Sequence, residues 1–268
     1  MTRHLIGVIT LACLCMLALT NGRSAAKDES RPTSMRFEWR TEGPLEKCGQ
    51  YCRTWVSAAG VITDDTARDF EKFAKVNDVR GATLALDSEG GSVLAALALG
   101  RAVRRLEMTT TVSKTIPLPL DANGTSRARL SPKASCESMC AFILLGGVRR
   151  YVPPEAHVLV HQIWLGSKSK RALESSYSAQ ELGTVQRDIG SLARYIVEME
   201  GGIELLETAL QVPPWEPMRA LSADELRRVR LSTTDRLFEQ EAPVTPVTAS
   251  SIHGNGLTTV SHAQRDKD

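Results

Sequence analysis

Residues 134–147 read Ala-Ser-Cys-Glu-Ser-Met-Cys-Ala-Phe-Ile-Leu-Leu-Gly-Gly. A hydroxyl, Ser138, lies in a run of small residues that leads directly into an apolar helix. Such a hydroxyl is a poor nucleophile until a base takes its proton, and the reaction needs donors for the charge that develops on the substrate oxygen. The entry of a helix offers free backbone N–H groups and a dipole that favours an anion. Taken alone, a serine before a helix is usually an N-cap, so two other segments decide its reading. Upstream, Gly90-Gly91 follows the apolar run Ala82-Thr83-Leu84-Ala85-Leu86 and opens the next helix. Glycine allows close backbone approach there, which lets the Gly91 N–H face a bound oxygen. Downstream, His161 ends the apolar run Val158-Leu159-Val160, a suitable place for a general base. Nucleophile, oxyanion donor and base are the parts of an acyl-transfer site. Neither dinucleotide nor nucleoside-triphosphate loop spacing surrounds Gly90-Gly91.

These residues must be held by strands and helices, and the pattern supplies both. Residues 53–63 read as a strand broken at Gly60, and residues 64–76 as a helix with a stripe of Phe70, Phe73 and Ala74. A strand at 82–86, a helix at 92–106 and a β-branched strand at 109–112 follow. Residues 113–133, with Pro117, Pro119, Asn123-Gly124 and Pro132, read as a long loop just ahead of the nucleophile segment, a lid or a mobile insertion. A buried helix is expected over 139–145, short strands at 150–153 and 157–161, and two helices within 172–211 separated at Gly201-Gly202. Ser222 and Glu225 form a capping-box pattern before a last helix over 223–229. Strands alternating with helices argue for an α/β domain with a largely parallel sheet.

The chain has 268 residues, 42% hydrophobic and 24% charged, enough for one sizeable core. Residues 1–26 read as a cleaved secretory signal: Arg3, an uncharged apolar run from 5 to 19, then small residues with Ser24 and Ala26 placed as at a cleavage site. That run is shorter than the roughly 20 residues a bilayer span needs. Residues 27–45 read as a flexible leader, 46–240 as the domain, and 241–268 as a disordered tail rich in Pro, Thr, Ser and Gly. Of the 33 basic residues only Arg3 and Arg23 lie in 1–26, leaving 31 against 31 acids. This balance gives no ground for a nucleic-acid partner. No cofactor is expected. Export to the periplasm or exterior makes disulfides the leading reading of Cys48, Cys52, Cys136 and Cys140, with their pairing open. A four-thiolate zinc site is weighed below this, because two of the cysteines flank Ser138.

The segments resemble the Clp-protease proteolytic subunit family, within the larger Clp/crotonase superfamily, over roughly residues 54–240. Ser88-Glu89-Gly90-Gly91 is similar to that family's Ser-Pro-Gly-Gly oxyanion turn. Ser138-Met139-Cys140-Ala141 is similar to its nucleophile segment, and Val160-His161-Gln162 to its base segment. The resemblance implies repeated ββα units, with Ser138 as nucleophile, His161 as base, and the N–H groups of Gly91 and Met139 as oxyanion hole. Peptide-bond hydrolysis through an acyl-enzyme would follow, on peptides or unfolded segments and without an ATPase partner. The family also assembles into homo-oligomers. Where it carries an aspartate before a Phe-Leu-Ser-Ala segment, this chain has Met218; the nearest carboxylate is Glu216. Either Glu216 substitutes, or a Ser–His dyad operates, or the site is degenerate and the protein is a binding or scaffold module. Asp188, Asp224 and Lys133 are weaker candidates for a role. A crotonase-like acyl-thioester enzyme is the least favoured reading.

Overall fold

The computed structural model describes residues 33–43, 52–120, 124, 126–165 and 173–238. The expected signal segment 1–26, the tail 241–268 and Cys48 lie outside these residues. The described chain is a mixed α/β fold containing parallel strands. Its main sheet runs β1 (Arg36–Thr41), β2 (Thr54–Ala59), β3 (Thr83–Asp87), β4 (Thr109–Val112) and β8 (Arg149–Tyr151), in that spatial order. From β2 to β8 the pairing is parallel, while β1 runs antiparallel to β2. Buried parallel strands read as near-continuous apolar runs, and Thr83 to Leu86 are all buried. Six helices are described: α1 (Thr66–Val76), α2 (Val93–Arg105), α3 (Cys140–Gly146), α4 (Ala179–Glu198), α5 (Glu204–Leu210) and α6 (Ala223–Arg228).

Strand β1 corrects the expectation of a flexible leader over its length. Its alternation is the reason: Phe37 turns inward onto the edge of Phe70, with ring centroids 5.1 Å apart, while Arg36 and Glu38 face solvent. A second correction concerns residues 113–133. They are not a structureless loop but a hairpin, β5 (Lys114–Leu118) and β6 (Arg127–Ser131), paired in register from Lys114–Ser131 to Leu118–Arg127. The hairpin lies on the main sheet through a small separate core of Trp55, Ala85 and Ala128, and the Trp55 indole N–H donates to Thr115 Oγ1 at 2.9 Å. Proline and glycine density concealed this pairing, because the anchor, Trp55, is 60 residues away.

A second sheet carries the chemistry-bearing residues. Strands β7 (Ser135–Glu137) and β9 (His157–Val160) are parallel, and β10 (Arg219–Ala220) is antiparallel to β9. It is tied to the end of β3 by a bridge between Ser88 and Cys136. From β7 the chain turns into α3, of which every residue is buried. A helix that is apolar all round belongs in a core; burying Phe142, Ile143, Leu144 and Leu145 contributes about 1.5–3 kcal/mol each. Helix α2 crosses α3 in near backbone contact, since a Cβ on Gly146 would lie 2.5 Å from the Gly100 carbonyl oxygen. At their C-terminal ends α3 and α4 share two cations. Arg104 donates to the Leu145, Gly146 and Met199 carbonyls, and the buried Arg150 donates to those of Leu145 and Met199. Burial, with Arg104 and Arg230 nearby, pushes the Arg150 guanidinium down to about 10. The capping box expected at Ser222 and Glu225 is formed, and a second one, Ser178 with Glu181, starts α4.

Candidate active site

Ser138 occupies the turn between β7 and α3. Its φ is +52°, in the left-handed region that a side chain with a Cβ seldom enters. Residues held there cost of order 1–3 kcal/mol and persist only where the surroundings over-determine them. Several constraints meet at this point. The Ser138 N–H donates to the Leu159 carbonyl in β9 at 2.7 Å, and the Ser138 carbonyl accepts from Ala141 at 3.1 Å. The cysteines at 136 and 140 are joined by a disulfide with Cα atoms 5.2 Å apart, closing a ring over Glu137, Ser138 and Met139. The bond therefore spans a strand–turn–helix junction, not one helical turn. Cys52 is also disulfide-bonded.

Against this turn lies Gly90-Gly91. A Cβ on Gly90 would lie 2.7 Å from the Glu137 carbonyl oxygen and 2.9 Å from Ser138 Cβ, so only glycine permits the approach. Gly90 and Gly91 have φ of +86° and +141°. Gly91 bridges Ile62 in parallel fashion: the Gly90 carbonyl accepts from Ile62, and the Ser92 N–H donates to Ile62. In such a bridge the middle residue's own N–H points away from its partner. Among the described residues neither the Gly91 nor the Met139 N–H donates a backbone hydrogen bond. Ser88, a residue to which the sequence pattern assigned no role of its own, holds the turn: its hydroxyl donates to the Gly60 carbonyl at 2.6 Å and accepts from the Gly90 N–H at 3.2 Å. A serine two residues before a glycine is the signal for such a local turn.

His161 follows β9 directly. It lines a cavity with Ser138, Met139, Phe142, Leu206 and Leu210, so the structure brings the proposed nucleophile and base to one place. The cavity is about 10 Å³, room for about one water. The two side chains share no hydrogen bond; apo sites commonly have catalytic contacts that tighten only on binding. Burial lowers the His161 pKa below its ordinary value, partly offset by the Gln162 backbone. The Trp164 ring packs on the imidazole, with centroids 4.8 Å apart. Its Nδ1 is buried and has no hydrogen-bond partner among the described residues. The β9–β10 register pairs Arg219 with Val160 and Ala220 with Leu159, so continuing it by one step beyond the strands would set Met218 against His161. Glu216 is exposed and does not line the cavity. Among the described residues no carboxylate hydrogen-bonds the buried imidazole Nδ1.

A larger space of about 350 Å³ flanks the other side of the turn, lined by Asp87, Ser88, Glu89, Lys114, Ser135 and Glu137. Burial raises the Glu137 carboxyl above the usual carboxylate range, with Glu89 and Asp87 adding to the effect. His157 is exposed at the far end of β9, and Lys133 is exposed four residues before Glu137; neither lines the cavity that holds Ser138. No helix among the described residues is long and apolar enough to cross a membrane. No group of three or more His, Cys, Asp or Glu among them could hold a metal ion. No protein-family model matches the sequence, and no curated protein matches it at a significant level.

Proposed function

We propose that the protein is a serine hydrolase acting on peptides through an acyl-enzyme at Ser138. The observation that carries this reading is the strained Ser138 at a strand–helix turn, facing His161 across one cavity and Gly90-Gly91 across backbone contact. Ser138 Oγ attacks the carbonyl carbon while His161 Nε2 takes its proton. The Gly91 and Met139 N–H groups then receive the charge on the carbonyl oxygen. His161 returns the proton to the leaving amine, and water repeats the sequence to release the acid. The cavity walls, Phe142, Ile163, Leu192, Leu206 and Leu210, suit an apolar side chain. The resemblance to the Clp-protease subunits supports the same assignment, including a Clp/crotonase-type fold and self-assembly. Substrate would arrive already extended, without an ATPase. The buried disulfide suits an oxidising compartment, the periplasm or exterior, reached through the signal segment.

A fluorophosphonate probe tests the reading. Labelling at Ser138, mapped by peptide mass and lost in His161→Ala, is the expected result. An absence of labelling, under conditions where a control serine peptidase reacts, favours the second reading: a binding module that kept the fold. The unpartnered Nδ1 of His161 is the observation on that side. A base that accepts at Nε2 carries its proton on Nδ1, and a buried donor without an acceptor costs about 1–3 kcal/mol.

A further inference from the structure

We infer that the Cys136–Cys140 disulfide is a positioning device for the nucleophile, one that sets catalytic rate more than stability. The inference rests on the hydrolase reading of Ser138. The bond spans a sequence separation of only four residues, and a cross-link closing so short a loop removes less entropy from the unfolded chain than one closing a long loop. Its effect is concentrated on the three residues it encloses. Those three hold the proposed nucleophile, in a conformation that is unfavourable on its own, and the Met139 N–H that completes the oxyanion hole.

Both ends of the bond are anchored. Cys136 is fully buried in β7, where Ser88 donates to Ser135 and Glu137 donates to Ser88, so this end is fixed to the strand that leads into Gly90-Gly91. Cys140 is fully buried as the first residue of α3, whose remaining residues lie in the core. The disulfide thereby fixes the nucleophile's helix relative to the oxyanion strand. Other contacts hold both ends of the bond: β7 pairs with β9 from Ser135 to Glu137, and every residue of α3 is buried, so the fold is expected to survive its loss. Cutting it frees the turn to relax from the left-handed region while the sheet and helix stay in place. On the histidine side no acid fixes the base, so alignment of the hydroxyl carries more of the geometric requirement.

The test compares the purified full chain in three forms: oxidised, reduced by dithiothreitol under mild denaturant that is then removed, and as the double variant Cys136→Ala/Cys140→Ala. In the reduction, two protein thiols form as the dithiol closes to its own cyclic disulfide, and a mass gain of about 2 Da per bond reports it. The Cys52 disulfide also opens in the reduced form; the double variant separates its contribution. Expected are a fall of about ten- to a hundredfold in fluorophosphonate labelling rate and in kcat, a nearly unchanged KM, recovery of the reduced chain on reoxidation, and a small change in melting temperature. Equal labelling rates in the oxidised protein and the double variant overturn the inference. Amide hydrogen exchange at Ser138 gives a readout independent of activity: protection of this N–H, bonded to Leu159, should drop without the bond. If the oxidised protein does not label at all, the hydrolase reading fails; unchanged Ser138 protection then overturns the positioning role as well, and lost protection upholds it as a conformational one.

Discussion

The two halves of the candidate site are built to different standards. On the nucleophile side, Ser138 is fixed by a hydrogen bond to Leu159, a disulfide around it, a buried helix behind it and a glycine pair that fits against it without room for a Cβ. On the base side, His161 stands past the end of β9 with a neighbouring ring and an Nδ1 that finds no hydrogen-bond partner among the described residues. Strain is retained on the first side because several independent contacts maintain it. On the second side the imidazole Nδ1 finds no hydrogen-bond partner among the described residues. A hydroxyl can thus be well placed for attack while the group that must activate it is weakly directed.

Substitutions can break or sharpen this contrast. The largest effect is expected for Ser138→Ala: a loss on the order of 10⁶ in kcat with folding retained, checked by peptide turnover and circular dichroism. Next comes Gly90→Ala, which forces a Cβ against the Glu137 carbonyl and Ser138 at a φ of +86°. It should lower kcat/KM about a hundredfold and cost about 1–3 kcal/mol of stability in a urea titration from backbone strain alone. A milder outcome there would mean that the nucleophile side is less tightly fixed than its contacts imply.

Met218→Asp acts on the other half. A carboxylate opposite His161 gives Nδ1–H an acceptor, so kcat should rise about ten- to a hundredfold, part of the roughly 10⁴ such an acid is worth in a Ser-His-Asp site. No rise would show that tautomer choice does not limit the proposed reaction. The pH profile follows from the lowered His161 pKa. The neutral base persists into mildly acidic solution, so the acid limb of kcat/KM should lie below the ordinary histidine value of 6.5, and Met218→Asp should move it up. Stability has the matching sign. A histidine held neutral by burial binds fewer protons folded than unfolded, so its contribution is full above 6.5 and declines as pH falls toward the lowered folded value. The smallest effect is expected for Glu216→Gln, within about twofold, as for a surface change remote from the site; a large loss would restore Glu216 as the third member.

Much of this site was legible from spacing alone. Ser138, Gly91 and His161 each end or begin an apolar run, and parallel sheets bring such ends together at one edge. Helices α2, α4 and α6 were legible from periodicity and caps. The β5–β6 hairpin was not, because its pairing depends on Trp55, far off in sequence. Nor was β1, whose inward Phe37 finds its partners Phe70 and Phe73 only once α1 is in place. The disulfide pairing was open because two Cys-x-x-x-Cys segments permit several connectivities; the tight turn at Ser138 decides one of them. The lack of an acid at position 218 was legible in the sequence, but the missing partner of the His161 Nδ1 among the described residues needed the folded geometry.

The two arginines that cap α3 and α4 have a consequence for how the molecule opens. Arg104 and Arg150 each bond carbonyls from both helices, so neither C-terminus can fray without releasing the other. The short α3 and the 20-residue α4 are therefore expected to open together, which common amide-exchange protection of their C-terminal turns would report. A partial opening that exposes the far end of α3 must pull α4 away with it. A protease that nicks the chain in this region would meet a fold that is shut or broadly undone, with few states between.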